Sequence, residues 1–323
     1  MRASIRAALQ VLPRQDGEDT FLSDVLCGLS REPKRLPAKH FYDSEGSLLF
    51  EEITRLPEYY PTRTEIGILE ERAGEIAALV PRGAALVEFG AGSTQKARLL
   101  LRAAPQIAAY VPVDISADYL AAESRGLERD VPRLVVAPVA ADFTRPFALP
   151  RSLQGRPRVG FFPGSTIGNF EPGEATDFLR LAAGVLGPGA RMIVGVDLVK
   201  DADVLHAAYN DAAGVTARFN LNLLVRINRE LGADFDLGRF AHRAFYDATE
   251  RRIEMHLESQ APQTVRIADR AFDFEAGETI HTENSYKYEP ESFGALACSA
   301  GWRALALWTD RRRHFSVHAL ELA

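Results

Sequence analysis

The residues of this chain whose types and spacing could do chemistry fall in four groups, three short segments and a pair of acidic residues. The first is Glu88-Phe89-Gly90-Ala91-Gly92-Ser93-Thr94-Gln95-Lys96. It follows an apolar run at 84–87 that reads as a buried strand, and it precedes a helix-like run at 97–102. Two glycines at a strand-to-helix turn let the backbone come close to a bound nucleotide. A dinucleotide turn wants a third Gly or Ala, where this chain has Gln95, and Glu88 adds negative charge where a pyrophosphate would lie. Glu88, Gly90 and Gly92 better suit S-adenosylmethionine, which has no phosphate and carries a cationic sulfonium and ammonium. A glycine turn that binds nothing is the alternative.

Two acidic residues extend this pattern. Asp114 ends the second strand candidate, where a carboxylate can accept from both ribose hydroxyls; a helix N-cap is its other reading. Asp142 follows the third strand, where it could accept from an adenine amino group. The third group, Gly164-Ser165-Thr166-Ile167-Gly168-Asn169, follows the fourth strand and exposes backbone at the lip of a sheet. Asn169 offers two donors and an acceptor, which suits a substrate carboxylate or amine; a polar turning loop is the alternative. The fourth is His281-Thr282-Glu283-Asn284-Ser285-Tyr286-Lys287-Tyr288. Glu283 and Ser285 share parity, so in an extended segment both point the same way and could bracket a heteroaromatic N–H. A solvated edge strand is the competing reading.

These segments need a scaffold to position them. Short apolar runs at 85–89, 108–113, 134–137, 159–162 and 192–196 alternate with helical patterns, of which 174–186 is the clearest, stopped by Gly187-Pro188-Gly189. That rhythm predicts an α/β fold with a parallel, doubly wound sheet. Thr62-Arg63-Thr64-Glu65 has the form of a capping box opening a helix through about Ala78. Residues 203–231 read as helical, and 240–280 as antiparallel strands, with 252–258 alternating at period two. Segments 303–308 and 315–322 read as a terminal antiparallel hairpin with Arg311-Arg312-Arg313 in its turn. The expected division is an N-terminal segment 1–63, a nucleotide-binding core 64–199, an insertion 200–288 and a return to the core at 289–323. The insertion and the N-terminal segment are expected to form a smaller α+β substrate domain, and the two parts to close over one crevice.

Composition narrows the function classes. The 323 residues are 46% hydrophobic and 25% charged, with a net charge of −6. That balance argues against a nucleic-acid partner. The two cysteines and seven histidines show no zinc spacing, so no metal is expected. With no apolar leader and no run of membrane-spanning length, the expectation is a cytoplasmic protein without a membrane partner, acting as a monomer.

Taken in order, 59–65, 88–92, 164–169 and 282–285 resemble the histidine-specific Nα-methyltransferases of ergothioneine biosynthesis, and the resemblance runs from about Phe41 to the C-terminus. It implies a Rossmann-type methyltransferase that trimethylates the α-amine of L-histidine to hercynine with S-adenosylmethionine. It implies cofactor roles for Gly90, Lys96, Asp114 and Asp142, with Lys96 on the methionyl carboxylate, beside Glu88 and Gly92 from the turn itself. It places Asn169 and Tyr209 on the histidine carboxylate, and Gly164 and Tyr42 near the α-amine, where Tyr42 and Asn169 are the candidate catalytic residues. Tyr59, Met255, Glu283 and Ser285 would form the side-chain pocket, Glu283 and Ser285 on the imidazole. Relatives acting on other aromatic amino acids are expected to depart at the Glu and Met positions, and this chain keeps both. An N-methyltransferase for another amine, a nicotinamide oxidoreductase and a non-catalytic adenosyl-binding protein remain as rivals.

Overall fold

The computed structural model describes residues 10–11 and 17–323. The strands, in chain order, are β1 (Gln10–Val11), β2 (Ala85–Phe89), β3 (Ala109–Asp114), β4 (Val135–Val136), β5 (Val139–Ala140), β6 (Arg158–Phe162), β7 (Arg191–Asp197), β8 (Phe240–Asp247), β9 (Arg252–Ser259), β10 (Gln263–Ile267), β11 (Arg270–Phe274), β12 (Thr279–Tyr286), β13 (Trp302–Thr309) and β14 (Phe315–Leu322). The chain forms two compact units: Met1–Pro13 with Pro61–Val199 and Tyr288–Ala323, and Arg14–Tyr60 with Lys200–Lys287.

The first unit is built on a nine-stranded sheet in the order β1-β5-β3-β2-β6-β7-β14-β13, with β4 also beside β3. Its β1–β7 pairings are parallel, and β14 runs antiparallel to both β7 and β13. All five residues of β2 are buried, as a strand covered on both faces requires. Helices Gln95–Ala103, Ala117–Asp130 and Pro172–Leu186 supply the crossovers. The last begins with Pro172 at its first turn and ends at Gly187, whose φ of 80° stops it. In the terminal hairpin the Asp310 carboxylate accepts the N–H groups of Arg312, His314 and Phe315, which holds the arginine-rich turn. This is a Rossmann-type α/β sheet with a terminal antiparallel hairpin.

The chain leaves β2 for β3 and β5 on one side and later for β6 and β7 on the other. The switch point therefore lies between β2 and β6, the place where such sheets bind ligands. One local expectation fails here. Thr62–Glu65 does not cap a helix, because the helix already runs from Tyr60 to Glu71 and a separate one follows at Ala73–Ala78. Glu65 is an interior helical residue, fully buried, and its carboxylate serves tertiary partners instead.

The second unit has a three-stranded antiparallel sheet, β12-β9-β8, and the hairpin β10-β11. The N-terminal segment closes the free edge of β12: Leu36 N–H donates to His281 O at 2.8 Å, and His281 N–H to Lys34 O at 2.9 Å. The expected helical stretch 203–231 is two helices, Ala202–Tyr209 and Val215–Leu231. Asp211 breaks it, because its carboxylate accepts from the N–H groups of both Val215 and Thr216 at 2.8 Å and starts a new helix there. Asp43 caps helix Ser44–Arg55 through Gly46 N–H and also accepts from Asn222 and Arg229, tying the N-terminal segment to Val215–Leu231. Phe41, Phe50 and Phe219 pack between these pieces.

Candidate active site

In the first unit, the residues singled out from the sequence line the carboxyl edge of four adjacent strands, β5-β3-β2-β6. Asp142 follows β5, Asp114 ends β3, Glu88 and Gly90 end β2, and Gly164 follows β6. The Gly90 turn is anchored by Gly90 and Ala91 N–H groups on Val113 O, at 2.9 and 3.0 Å. Gly90 has φ 72°, and a Cβ there would lie 3.3 Å from the Phe143 ring. Gly92 has neither constraint, for a Cβ there meets open space. The turn therefore has open room at Gly92.

Asp114 accepts Ser116 N–H at 2.8 Å, and Ser116, not Asp114, is the cap of the following helix. Burial raises its pKa, opposed by the backbone N–H groups of Ser116 and Ile115. Asp142 spends Oδ1 on Thr144, at 2.9 Å to N–H and 2.5 Å to the hydroxyl, while Oδ2 is loosely paired with Arg145 at 3.8 Å. Asn169 ends a short 3-10 turn, Thr166–Asn169, which starts from Ser165 in the left-handed region at φ 58°. That strained backbone is held by Ser165 Oγ accepting Asp197 N–H at 2.8 Å.

Lys96 and Glu88 differ from expectation. Lys96 Nζ makes an ion pair with Glu65 at 2.5 Å, and the same carboxylate accepts Gly164 N–H at 2.9 Å. Glu65 thus ties the lysine to the Gly164 turn across the switch point. Gly195 makes room for it, since a Cβ there would fall 2.0 Å from Glu65 Oε1. Glu88 does not present a fixed negative charge. It is buried beneath the turn, accepts from the Tyr110 hydroxyl, and burial pushes its pKa up to about 8, so the free protein holds it mostly protonated at neutral pH.

That shift makes a stability prediction. The folded state holds this proton more tightly than the unfolded chain, whose ordinary value is 4.5, so stability falls as pH climbs from there towards 8. Glu88→Gln removes this contribution. Urea midpoints at pH 5, 6.5 and 8 are expected to decline less steeply in the variant, and an unchanged slope would refute the assignment.

In the second unit, the residues form one connected series. Tyr42 meets Phe50, Phe50 meets Tyr59, and Tyr59 meets Tyr209, with ring centroids 5.8, 6.2 and 6.4 Å apart and near edge-on. Tyr209, expected on the substrate carboxylate, has its hydroxyl 2.7 Å from Ser285 Oγ and 3.1 Å from Lys287 Nζ. Glu283 and Ser285 lie on one buried face of β12, and Glu283 stands directly opposite Met255 on β9. A solvated edge strand is therefore the wrong description of this segment. Burial raises the Glu283 pKa to about 7, against the opposing charge of Lys287.

The pairing of Glu283 with Met255 depends on a β-bulge. His281 opposes His256, but two residues on, Glu283 opposes the very next residue of β9, Met255. Thr282 is the extra residue. Its hydroxyl lies 2.8 Å from Asn220 Oδ1 and 3.0 Å from Met255 O, and Asn220 Nδ2 donates to His256 O at 2.9 Å. Sequence reading missed Asn220, Glu65, Phe50 and Lys287. Of these only Lys287 had a visible signal, a lysine at the same parity as Glu283 and Ser285. The other face of the sheet carries Glu254, His256 and His281 close together, with Arg252 on the Glu254 carboxylate at 2.6 Å.

The family described as "Histidine-specific methyltransferase, SAM-dependent" matches residues 21–322. The histidine N-alpha-methyltransferase of Mycobacterium tuberculosis is 44% identical over 91% of this chain and 92% of its own length. That of Mycolicibacterium smegmatis is 45% identical over the same shares. Ergothioneine biosynthesis protein 1 of Neurospora crassa is 32% identical over 86% of this chain, which spans 32% of that longer protein. Among solved structures, the CcbJ methyltransferase of Streptomyces caelestis aligns at TM-score 0.44 and 16% identity, covering 79% of this chain and 89% of that one. The strand order itself carries the fold assignment.

Proposed function

Because the chain belongs to the S-adenosylmethionine-dependent, histidine-specific methyltransferase family, we infer that it transfers methyl groups to the α-amine of L-histidine, forming hercynine for ergothioneine biosynthesis. The observation that carries the substrate reading is the buried Glu283, facing Met255 and sharing its face with Ser285. A carboxylate on this face can accept an imidazole N–H, which phenyl rings lack.

The first unit fits the methyl donor. The open space above Gly92 and the positive φ of Gly90 and Gly164 give a cradle that side chains would fill or strain. S-adenosylmethionine, when bound, supplies a methyl group already activated on a sulfonium. The chain therefore contributes position and electrostatics more than bond activation. Asp114 is assigned to the ribose hydroxyls. Asp142 keeps Oδ2 for the adenine amino group, since Oδ1 serves Thr144. Lys96, held by Glu65, is assigned to the methionyl carboxylate, and Glu65 limits how far its charge is spent elsewhere. Glu88 acts through the turn that it supports.

In the second unit, Tyr42, Tyr59 and Tyr209 present an aromatic wall whose ring faces favour an ammonium as methyl groups accumulate. Tyr42 is assigned to the neighbourhood of the amine, Asn169 and Tyr209 to the histidine carboxylate, Gly164 to backbone contact beside the amine, and Glu283, Ser285 and Met255 to the imidazole. The amine must lose a proton before each transfer, which water can accept directly or through a tyrosine hydroxyl that passes on its own proton. No helix among the described residues is long and apolar enough to cross a membrane. Cys27 and Cys298 are both free and exposed, which supports a reducing, cytoplasmic setting.

The test is mass spectrometry of the protein with methyl-labelled S-adenosylmethionine and the twenty amino acids together. Label is expected in trimethylated histidine. Label in a different amino acid, or in none, would overturn the reading.

A further inference from the structure

Asn220 is fully buried on helix Val215–Leu231, yet it has no place in the methyl-transfer chemistry above. An apolar side chain ordinarily occupies such a position. A backbone carbonyl can only accept, so the end of the amide 2.9 Å from His256 O is the NH2 group, and this fixes which way the amide is turned. Its oxygen then faces the Thr282 hydroxyl at 2.8 Å, and that hydroxyl is also 3.0 Å from Met255 O. The second N–H of the amide points to His242 Nδ1 at 2.9 Å. His242 Nδ1 therefore accepts, the ring carries its proton on Nε2, and Nε2 donates to Tyr209 O at 2.9 Å. Burial lowers the His242 pKa, in keeping with a neutral ring.

At one end of this network, side chains donate to the carbonyls of Met255 and His256, consecutive residues of β9, where the β12–β9 ladder shifts register. The extra residue Thr282 is pinned there, and its bulge sets Glu283 opposite Met255. At the other end, Tyr209 is the last residue of helix Ala202–Tyr209, and its carbonyl belongs to the turn where helix carbonyls take donors from outside the helix. His242, on β8, ties that helix end to the sheet. A buried polar network specifies one arrangement where an apolar contact tolerates several.

We propose that Asn220 is a positioning residue whose single amide sets both readers of the substrate: through Thr282 it holds the bulge that aims Glu283 at the ring, and through His242 it holds the helix end that carries Tyr209 for the carboxylate. The proposal rests on the reading that Glu283 contacts the ring and Tyr209 the carboxylate. It goes further in naming the group that holds one against the other. An apolar residue of similar size at 220 offers nothing to His256 O, Thr282 or His242, and the register of β12 on β9 is then less strongly specified. A slip of one residue moves Glu283 to the opposite face of the sheet. The Tyr209 arm differs in kind. A carboxylate is common to every amino acid, so loosening its holder weakens all of them alike.

The test measures kcat/KM and KM for L-histidine and L-tryptophan in the parent, Asn220→Leu, Thr282→Val, His242→Phe, Glu283→Ala, Tyr209→Phe and the double variant Asn220→Leu with Glu283→Ala. Affinity for S-adenosylhomocysteine and the melting temperature serve as checks on folding. Asn220→Leu is expected to lower the histidine-to-tryptophan ratio about tenfold, the low end for losing a hydrogen bond to a charged group, and to raise both KM values. In the double variant the ratio is expected to match that of Glu283→Ala, because Asn220 acts on the ring only through Glu283. The two arms separate. Thr282→Val is expected to lower the ratio, and His242→Phe to keep it while raising both KM values about fivefold, within the range for one neutral hydrogen bond. A folded Asn220→Leu with the parent ratio, a double variant well below Glu283→Ala, or His242→Phe with both KM values unmoved would each overturn the proposal. If Glu283→Ala leaves the ratio unmoved, or Tyr209→Phe leaves KM unmoved, the pocket reading itself falls and the proposal with it. Should Asn220→Leu fail to fold, Thr282→Val and His242→Phe carry the test: a lowered ratio in the first and raised KM values in the second support the proposal, and parent values in either refute it.

Discussion

Glu283→Ala is expected to lower kcat/KM for L-histidine by about 10- to 100-fold at pH 8, and to shift selectivity towards tryptophan. At that pH the carboxylate is largely ionised, because burial raises its pKa only to about 7. A hydrogen bond to a charged group is worth roughly 1.5–3 kcal/mol, which sets the range. Removing it leaves the ring N–H without an acceptor in a buried pocket. The effect on tryptophan has the opposite sign. A buried carboxylate penalises an apolar ring, and alanine removes both the charge and the bulk, while Met255 opposite remains as an adaptable apolar wall. Measuring kcat/KM for both amino acids in parent and variant decides the matter. If the histidine-to-tryptophan ratio does not move, other residues read the ring and the substrate assignment loses its main support.

Asp114→Ala is expected to weaken S-adenosylhomocysteine by roughly 1.5–3 kcal/mol, again the range for hydrogen bonds to a charged acceptor. Asp114 sits at the carboxyl end of β3, beside the switch point, with one oxygen already on Ser116 N–H. That bond orients the carboxylate, so the remaining acceptor capacity is aimed without further ordering cost. Asp114→Asn keeps an acceptor and loses the charge, so its affinity should fall between the two. Calorimetric titration of the three proteins provides the measurement. Parent-like affinity in the alanine variant would remove Asp114 from the donor site.

The strand–turn–helix around Gly90 was legible because its signals are local. An apolar run of five residues, two glycines and an amphipathic helix each follow from the chemistry of neighbours in the chain. The same holds for helix 172–186 and for the hairpin at the C-terminus. The ion pair of Lys96 with Glu65 was not legible, because the two residues are far apart in sequence and meet only in the folded chain. The charge of Glu88 was misjudged for a related reason. Ionisation depends on solvation, and solvation is a property of the folded surroundings.

The sharpest division is at β12. That Glu283 and Ser285 point the same way follows from the alternation of an extended chain, which the sequence by itself determines. Which way they point does not. Unbroken alternation from His281 would have set Glu283 opposite Glu254, on the face of the sheet that carries His256. The extra residue at Thr282, held by Asn220 from a distant helix, turns Glu283 to the buried face opposite Met255. Parity is local and covalent, whereas register is a choice among hydrogen bonds to another strand. Only the tertiary structure makes that choice, and with it the side of the sheet on which the substrate ring can be read.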